Sequence, residues 1–292
     1  MRLHWEWIEP LMPVPYVPTL GPVHPADLLP ELFAAAVEIA GSGRFLPYDK
    51  DRRWSGRKAE HVLADAIEHG PHRTLLPTLL DQAGRTVRVH VYGTDRDSLS
   101  AGADLARKLA AVHRADRARV VSFLGPDQPA RGVRGVRVHL RDFTDGPGPG
   151  PGARVLEYAQ LPDPSRFTAF AEEMAGHGFV FLHDRMRAGT VGPVLVVLHG
   201  DQVSGAIGPM ETMPDAAGRA RLLPQYLAVL PAHRSLGHGR ALWRAAMQWG
   251  HRHGAAYQLL QTEVGGASDH LCASEGLTAL GSVDQRDAGI ED

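Results

Sequence analysis

Cysteine is almost missing: among 292 residues there is one, Cys272. A single thiol excludes an internal disulfide and the paired-cysteine spacings of zinc sites, and it fits a reducing compartment. Lysine is nearly as scarce, with Lys50, Lys58 and Lys108 the only three among 31 basic residues. Neither sign of charge is in excess, because 31 Lys and Arg face 33 Asp and Glu for a net charge of −2. That balance removes any global electrostatic case for nucleic acid or an anionic membrane. No run approaches the roughly 20 apolar residues of a membrane span. The first residues, with Arg2, Glu6, Glu9 and four prolines before residue 20, lack the apolar stretch of a signal peptide. The expectation is a cytoplasmic protein with no membrane partner. The 16 histidines do not fall into metal-ligand spacing; His251 and His253 lie two apart and point to different faces of a helix, and no metal is expected.

What is present, 43% hydrophobic and 22% charged residues over this length, describes globular protein with room for two domains. The clearest boundary is residues 145–152, DGPGPGPG, whose alternating Gly and Pro suit neither helix nor sheet. The expected organisation is a smaller α/β domain over 1–144, a linker over 145–152 and a second domain over 153–292. In the first, helical spacing covers 26–40 (Leu28, Leu32, Ala36, Ile39) and 57–69 (Val62, Ala66), and Val87, Val89 and Val91 alternate as a half-buried strand over 86–92. Asp97 or Ser98 would cap a helix reaching His113, and strands are expected at 119–124 and 136–140.

The second half centres on residues 223–277. An apolar run over 225–230, closed by Pro231, reads as a buried strand, and a glycine turn follows, with Gly237 and Gly239. Leu242, Ala245, Ala246 and Trp249 then recur at helical spacing over 240–253, before Gly254 in a C-cap position. A helix entered from such a turn aims unpaired N–H groups and the positive end of its dipole at one point, which wants an anion such as a phosphate. Arg234 and Arg240 flank the turn and would add charge-assisted bonds. A second strand over 256–262 and a short helix over 268–275, ending at Gly276 and Leu277, complete the series. Upstream, a strand is expected over 153–161, a helix over 164–177 with Phe167, Phe170, Ala171 and Met174 on one face, a hairpin over 194–207 and a strand through 210–213.

The turn pattern Arg-x-x-Gly-x-Gly (Arg234, Gly237, Gly239), entered from Val229-x-Pro231 and embedded in strand, turn, helix, strand, helix, resembles the GCN5-related N-acetyltransferase (GNAT) superfamily. The resemblance covers the C-terminal half. It implies an α/β (α+β) GNAT domain with a mixed central sheet, and the similar strand, turn, helix, strand order over 86–124 makes the N-terminal half either a degenerate copy of that fold or an unrelated α/β domain. Its turn over 93–98 lacks the glycine spacing, and Asp95 and Asp97 would repel a pyrophosphate.

Carried over, the resemblance gives Leu227 and Val229 to the pantetheine arm and Arg234, Ser235, Leu236, Gly237, His238, Gly239 and Arg240 to the pyrophosphate of acetyl-CoA or another acyl-CoA. The reaction it implies is direct attack by an amine, most simply a small-molecule acceptor, with an acyl carrier protein or aminoacyl-tRNA as the alternative donor and a non-catalytic acyl-CoA-binding module as a third reading. Where the family's acid is a tyrosine, this chain has Cys272: a weak acid, a nucleophile, or a small core residue. Glu211 is the expected base, with Glu263, His199 and Asp201 behind it, and Tyr226 either lines the cleft or packs in the core. The few residues after Leu277 leave the N-terminal domain to supply the acceptor-side wall.

Overall fold

The computed structural model describes residues 4–82, 84–93, 95–128 and 135–289. They form two compact units, Met1–Leu140 with Leu259–Asp292, and Arg141–Gln258. The segment over 145–152 falls inside the second unit, and residues 259–289, expected with the second half, pack with the first unit.

The first unit begins with a two-strand ladder, β1 (Tyr16–Val17) and β2 (Gly21–Pro22), and α1 (Pro30–Ala40). Helix α1 starts four residues later than its apolar spacing suggests, because Pro30 takes the first-turn position that proline suits. The helix expected over 57–69 does not form. Those residues give β3 (Glu60–Val62) and β4 (Glu68–Gly70), both antiparallel to β5 (Arg73–Asp81). Val62 and Ala66 are four apart by coincidence, and ladder pairing overrides the weak local preference. Strand β5 carries Pro77 at its middle. The Pro77 carbonyl accepts the Leu63 N–H at 2.9 Å, so its ring nitrogen faces the same edge, at the break between β3 and β4 where a donor is not needed.

Strand β6 (Arg85–Tyr92) pairs antiparallel with β5, and α2 (Arg96–His113) crosses to β7 (Arg117–Leu124), which runs parallel to β6. Val87, Val89 and Val91 point inward onto Leu105, Ala106 and Leu109 of α2, the burial that their alternation predicted. Strand β8 (Gly135–Asp142) closes the N-terminal part.

One buried group in this unit ties stability to pH. His90 is 1% exposed, and its Nδ1 lies 3.2 Å from the Leu76 carbonyl. Burial, the main cause, pulls its pKa down to about 4. The unfolded chain would bind a proton near pH 6.5, so the stabilisation is complete above that value and is lost as pH falls toward the folded one. Denaturant titrations between pH 7 and 4 should therefore show a loss of about 3 kcal/mol that His90→Gln removes. An unchanged slope in the variant would refute this.

The second unit holds β9 (Val155–Glu157), α3 (Ser165–Glu173), α4 (Phe179–Arg187), the hairpin β10 (Leu195–His199) and β11 (Gln202–Gly208), then β12 (Thr212–Pro214), β13 (Ala220–Leu222), β14 (Tyr226–Val229) and α5 (His238–Arg252). Its main sheet is ordered β14, β11, β10, β9, all antiparallel. Phe167, Phe170, Ala171 and Met174 of the α3 segment pack with Phe179 and Leu182 of α4 over Val196, Val203 and Ala206 of the sheet. The helix expected over 164–177 is thus shorter, ending in a 3-10 turn at Ala175–His177, and α4 is an element the periodicity did not reveal. The expected first strand over 153–161 is three residues long.

Strand β15 (Tyr257–Glu263) begins in the second unit, where Tyr257 and Gln258 pair parallel with β13, and its remainder belongs to the first. There α6 (Ala267–Ser274) leads to β16 (Thr278–Asp287), which lies antiparallel between β7 and β8. The polar C-terminal segment is therefore a full interior strand of the first unit. Both of its faces are covered at the middle, because the consecutive residues Ser282, Val283 and Asp284 are all 2% exposed or less.

Candidate functional site

Strand β14 is the edge of the four-stranded sheet in the second unit, and no strand pairs with its outer side among the described residues. Its register places Val229 opposite Gly205, and the Leu230 N–H bonds the Ser204 carbonyl at 2.9 Å. In an antiparallel ladder alternate residues bond the partner, so Leu230, Ala228 and Tyr226 face β11 while Leu227 and Val229 turn their N–H and C=O groups outward. These are the two residues assigned to a pantetheine arm. Gln225, just before β14, accepts from the Gln258 side-chain amide at 2.7 Å, which fixes the base of the strand against the start of β15.

The turn from Pro231 to Gly237 delivers the chain into α5. Ser235 and Gly237 adopt left-handed backbone, φ 64° and 82°, and a Cβ on Gly237 would meet nothing within 4 Å. Glycine at 237 is thus required by conformation and leaves open space beside it. No side chain caps α5, and its first intrahelical bond runs from the Ala241 N–H to the Gly237 carbonyl at 3.0 Å. The N–H groups of Gly237, His238 and Gly239 precede that bond and point out of the helix end. Arg234 is exposed, its Nε 3.5 Å from the Val229 carbonyl. Leu236 is 54% exposed.

Three imidazoles gather here. His233 lies 4.7 Å from His199 and 6.4 Å from His238, ring to ring, and His238 Nδ1 is 2.9 Å from the Ser204 hydroxyl. Burial and the two neighbouring rings lower the pKa of His238. Protonation here would add positive charge to an end of the helix that already favours an anion.

Helix α2 shows the opposite arrangement. Asp95 caps it, accepting the Ser98 N–H at 2.6 Å and the Ser98 hydroxyl at 2.9 Å, and those bonds lower the Asp95 pKa. The cap is two residues earlier than Asp97 and three earlier than Ser98, the two positions the sequence offers; Thr94 of that turn lies outside the described residues. A carboxylate already occupies the N-terminal end of α2, whereas no side chain caps α5, so the two turns differ in chemistry although the strand, turn, helix, strand order is shared.

The remaining predicted residues do not converge on the turn. Glu211 Oε1 accepts the Gly192 N–H at 3.1 Å, and its backbone carbonyl holds the Leu223 N–H at 2.9 Å, both at the root of β12 and β13. Tyr226 packs its ring on Phe179 and against Gly178, where an added Cβ would sit 2.6 Å from Cε1. That contact supports the core-packing alternative. Cys272, on α6 in the first unit, is 2% exposed. Burial and the Asp269 carboxylate push its thiol up to about 12, so at neutral pH it is protonated, which suits a small core residue and disfavours a nucleophile. Of the other bases, Asp201 pairs with Arg166 at 3.1 Å and Glu263 ends β15 in the first unit.

A network that the sequence does not announce surrounds Asp269. Its Oδ1 accepts from His139 at 2.8 Å and Arg137 at 3.0 Å, and its Oδ2 accepts the Gly265 N–H at 2.8 Å. His139 and Asp269 are separated by 130 residues, so no local pattern could have found them. Among the described residues no group of three or more His, Cys, Asp or Glu is placed to hold a metal ion, and no helix is long and apolar enough to cross a membrane.

A family model described as acetyltransferase (GNAT) family matches residues 155–271. No curated protein matches the chain. Among solved structures, a GCN5-related N-acetyltransferase from Sphaerobacter thermophilus is 16% identical, with 77% of this chain and 84% of that one covered at a TM-score of 0.44. One from Kribbella flavida is 12% identical, covering 78% and 92% at a TM-score of 0.43. A tandem GNAT protein from the clavulanic acid biosynthesis pathway is 15% identical, covering 88% and 89% at a TM-score of 0.42.

Proposed function

Because the chain carries a domain of the acetyltransferase (GNAT) family over residues 155–271, we propose that it moves an acyl group, acetyl in the simplest case, from acyl-CoA to an amine by direct attack. The observation that carries this is the uncapped end of α5 beside the open edge of β14. In this reading the N–H groups of Gly237, His238 and Gly239, with Arg234 and Arg240, hold the pyrophosphate through dipole and charge-assisted bonds. The outward groups of Leu227 and Val229 pair with pantetheine amides, and the Val229 N–H polarises the thioester carbonyl. The attacking amine expels the thiolate, and a base takes the ammonium proton. The acceptor is a small-molecule amine in the simplest form of the proposal, and Asp95 at the α2 turn confines donor binding to the second unit.

Calorimetry of acetyl-CoA, free CoA and a pantetheinylated carrier protein against the full chain tests the donor. Binding of acetyl-CoA supports the reading, and binding of the carrier protein alone would replace acyl-CoA with a carrier-bound donor.

Glu211 is the proposed base, and Glu211→Gln separates its two roles. Glutamine keeps an acceptor for the Gly192 N–H, so the fold and acetyl-CoA affinity should persist. The turnover rate should fall on the order of 100-fold or more if the carboxylate removes the proton. Unchanged turnover would leave Glu211 as a structural clip only.

A further inference from the structure

The second unit holds a cavity of about 340 Å³ between α3 and α4, lined in part by Tyr158, Thr168, Glu172, His183, Asp184 and Arg187. Its volume lies within the range of small-molecule sites. It opens beside the end of β9, the strand at the opposite edge of the sheet from β14, so it is separate from the proposed donor edge.

His183 is 9% exposed and packs its ring 5.4 Å from Phe167, centroid to centroid. Its nitrogens have no hydrogen-bond partner among the described residues and are not sealed from solvent, so a ligand in the cavity can reach them. Burial, and then the charge of Arg187, lower its pKa, so it presents a neutral ring with one donor and one acceptor. The Tyr158 hydroxyl is likewise uncommitted among the described residues. Around them stand Glu172 on α3 and Asp184 and Arg187 on α4, none of which forms an ion pair among the described residues. Exposed charges of both signs thus line a cavity into which a largely buried imidazole brings a donor and an acceptor.

We propose that this cavity binds a small zwitterion of the amino-acid class. Glu172 and Asp184 take its ammonium group, Arg187 takes its carboxylate through the planar fork that suits it, and His183 with Tyr158 reads a polar group further in. A simple amine would leave Arg187 unpaired and close to a like charge, and an anion would meet two carboxylates. The zwitterion alone satisfies both signs.

The test is calorimetry of the full chain against each proteinogenic amino acid at millimolar concentration, with ethylamine and acetate as single-charge probes. One amino acid or a related few should bind, ethylamine and acetate should not, and Arg187→Gln should weaken binding about tenfold or more, the usual consequence of losing a charge-assisted bond. Arg187 is exposed, so this variant should keep the fold, which circular dichroism checks. His183→Leu should weaken binding as well. Absence of binding by every amino acid, ethylamine bound as tightly as the best of them, or affinity untouched by Arg187→Gln would each overturn the assignment.

Discussion

Gly237→Asp should abolish measurable acetyl-CoA binding, with affinity lowered by at least about 100-fold, while the protein stays folded. Three effects add. Residue 237 sits at φ 82°, where any Cβ is strained by roughly 1–2 kcal/mol. The new side chain would project beside the N–H groups that the pyrophosphate needs, and like Asp95 on α2 it could cap the helix itself. Its negative charge would then repel the diphosphate by about 1–4 kcal/mol at a separation near 4 Å. Gly237→Asn is the control, because asparagine tolerates left-handed backbone and carries no charge. It should lose much less than the aspartate variant. Equal affinities for Asn and Asp would show that charge at this turn is irrelevant, and the anion assignment would fall. If both variants bind like the unaltered chain, the turn does not hold the donor at all.

The glycine turn and the helix after it could be read from sequence because their signals are local. Gly237, Gly239 and the period of Leu242, Ala246 and Trp249 are local features, and each local preference agrees with the structure: Gly237 is left-handed, and those three side chains are buried on α5. The valines of β6 and the hairpin of β10 and β11 were legible for the same reason. Elsewhere local signals conflict with packing. Residues 57–69 carry a helical spacing that the neighbouring β5 overrides, and β5 itself was hidden by Pro77, which would argue against a strand unless its exact edge position were known. Helix α4 was missed because Val180 and Phe181 are 42% and 39% exposed, which blurs the apolar stripe. The polar tail that becomes β16 gains its place by pairing on both sides with strands more than a hundred residues earlier, a relation no window of sequence contains.

Asp269→Ala should cost about 3–5 kcal/mol of stability, a large fraction of what a domain has to lose. The Asp269 side chain is 10% exposed and is shared by Arg137, His139 and the Gly265 N–H. Removing it takes the carboxylate from a partly buried guanidinium and leaves the buried His139 Nε2 with only the Thr262 hydroxyl, 3.1 Å away; the His139 Nδ1 is already buried without a partner. It also releases the start of α6, since the carboxylate reaches from the helix's first turn back to the residue before its N-cap. The pH dependence distinguishes this network from simple packing. Burial alone would raise the Asp269 pKa, but the bonds from Gly265 and His139 and the charge of Arg137 outweigh it, so the folded value lies below the usual carboxylate range. Its stabilisation is therefore present above about pH 4, the unfolded value, and is lost as pH falls through the folded one. Chemical denaturation of the two proteins at pH 7 and again near pH 3 should show the gap between them narrowing in acid. A cost at pH 7 below about 1 kcal/mol, typical of an exposed pair, would mean that α6 is held by burial of residues such as Cys272 and not by this carboxylate.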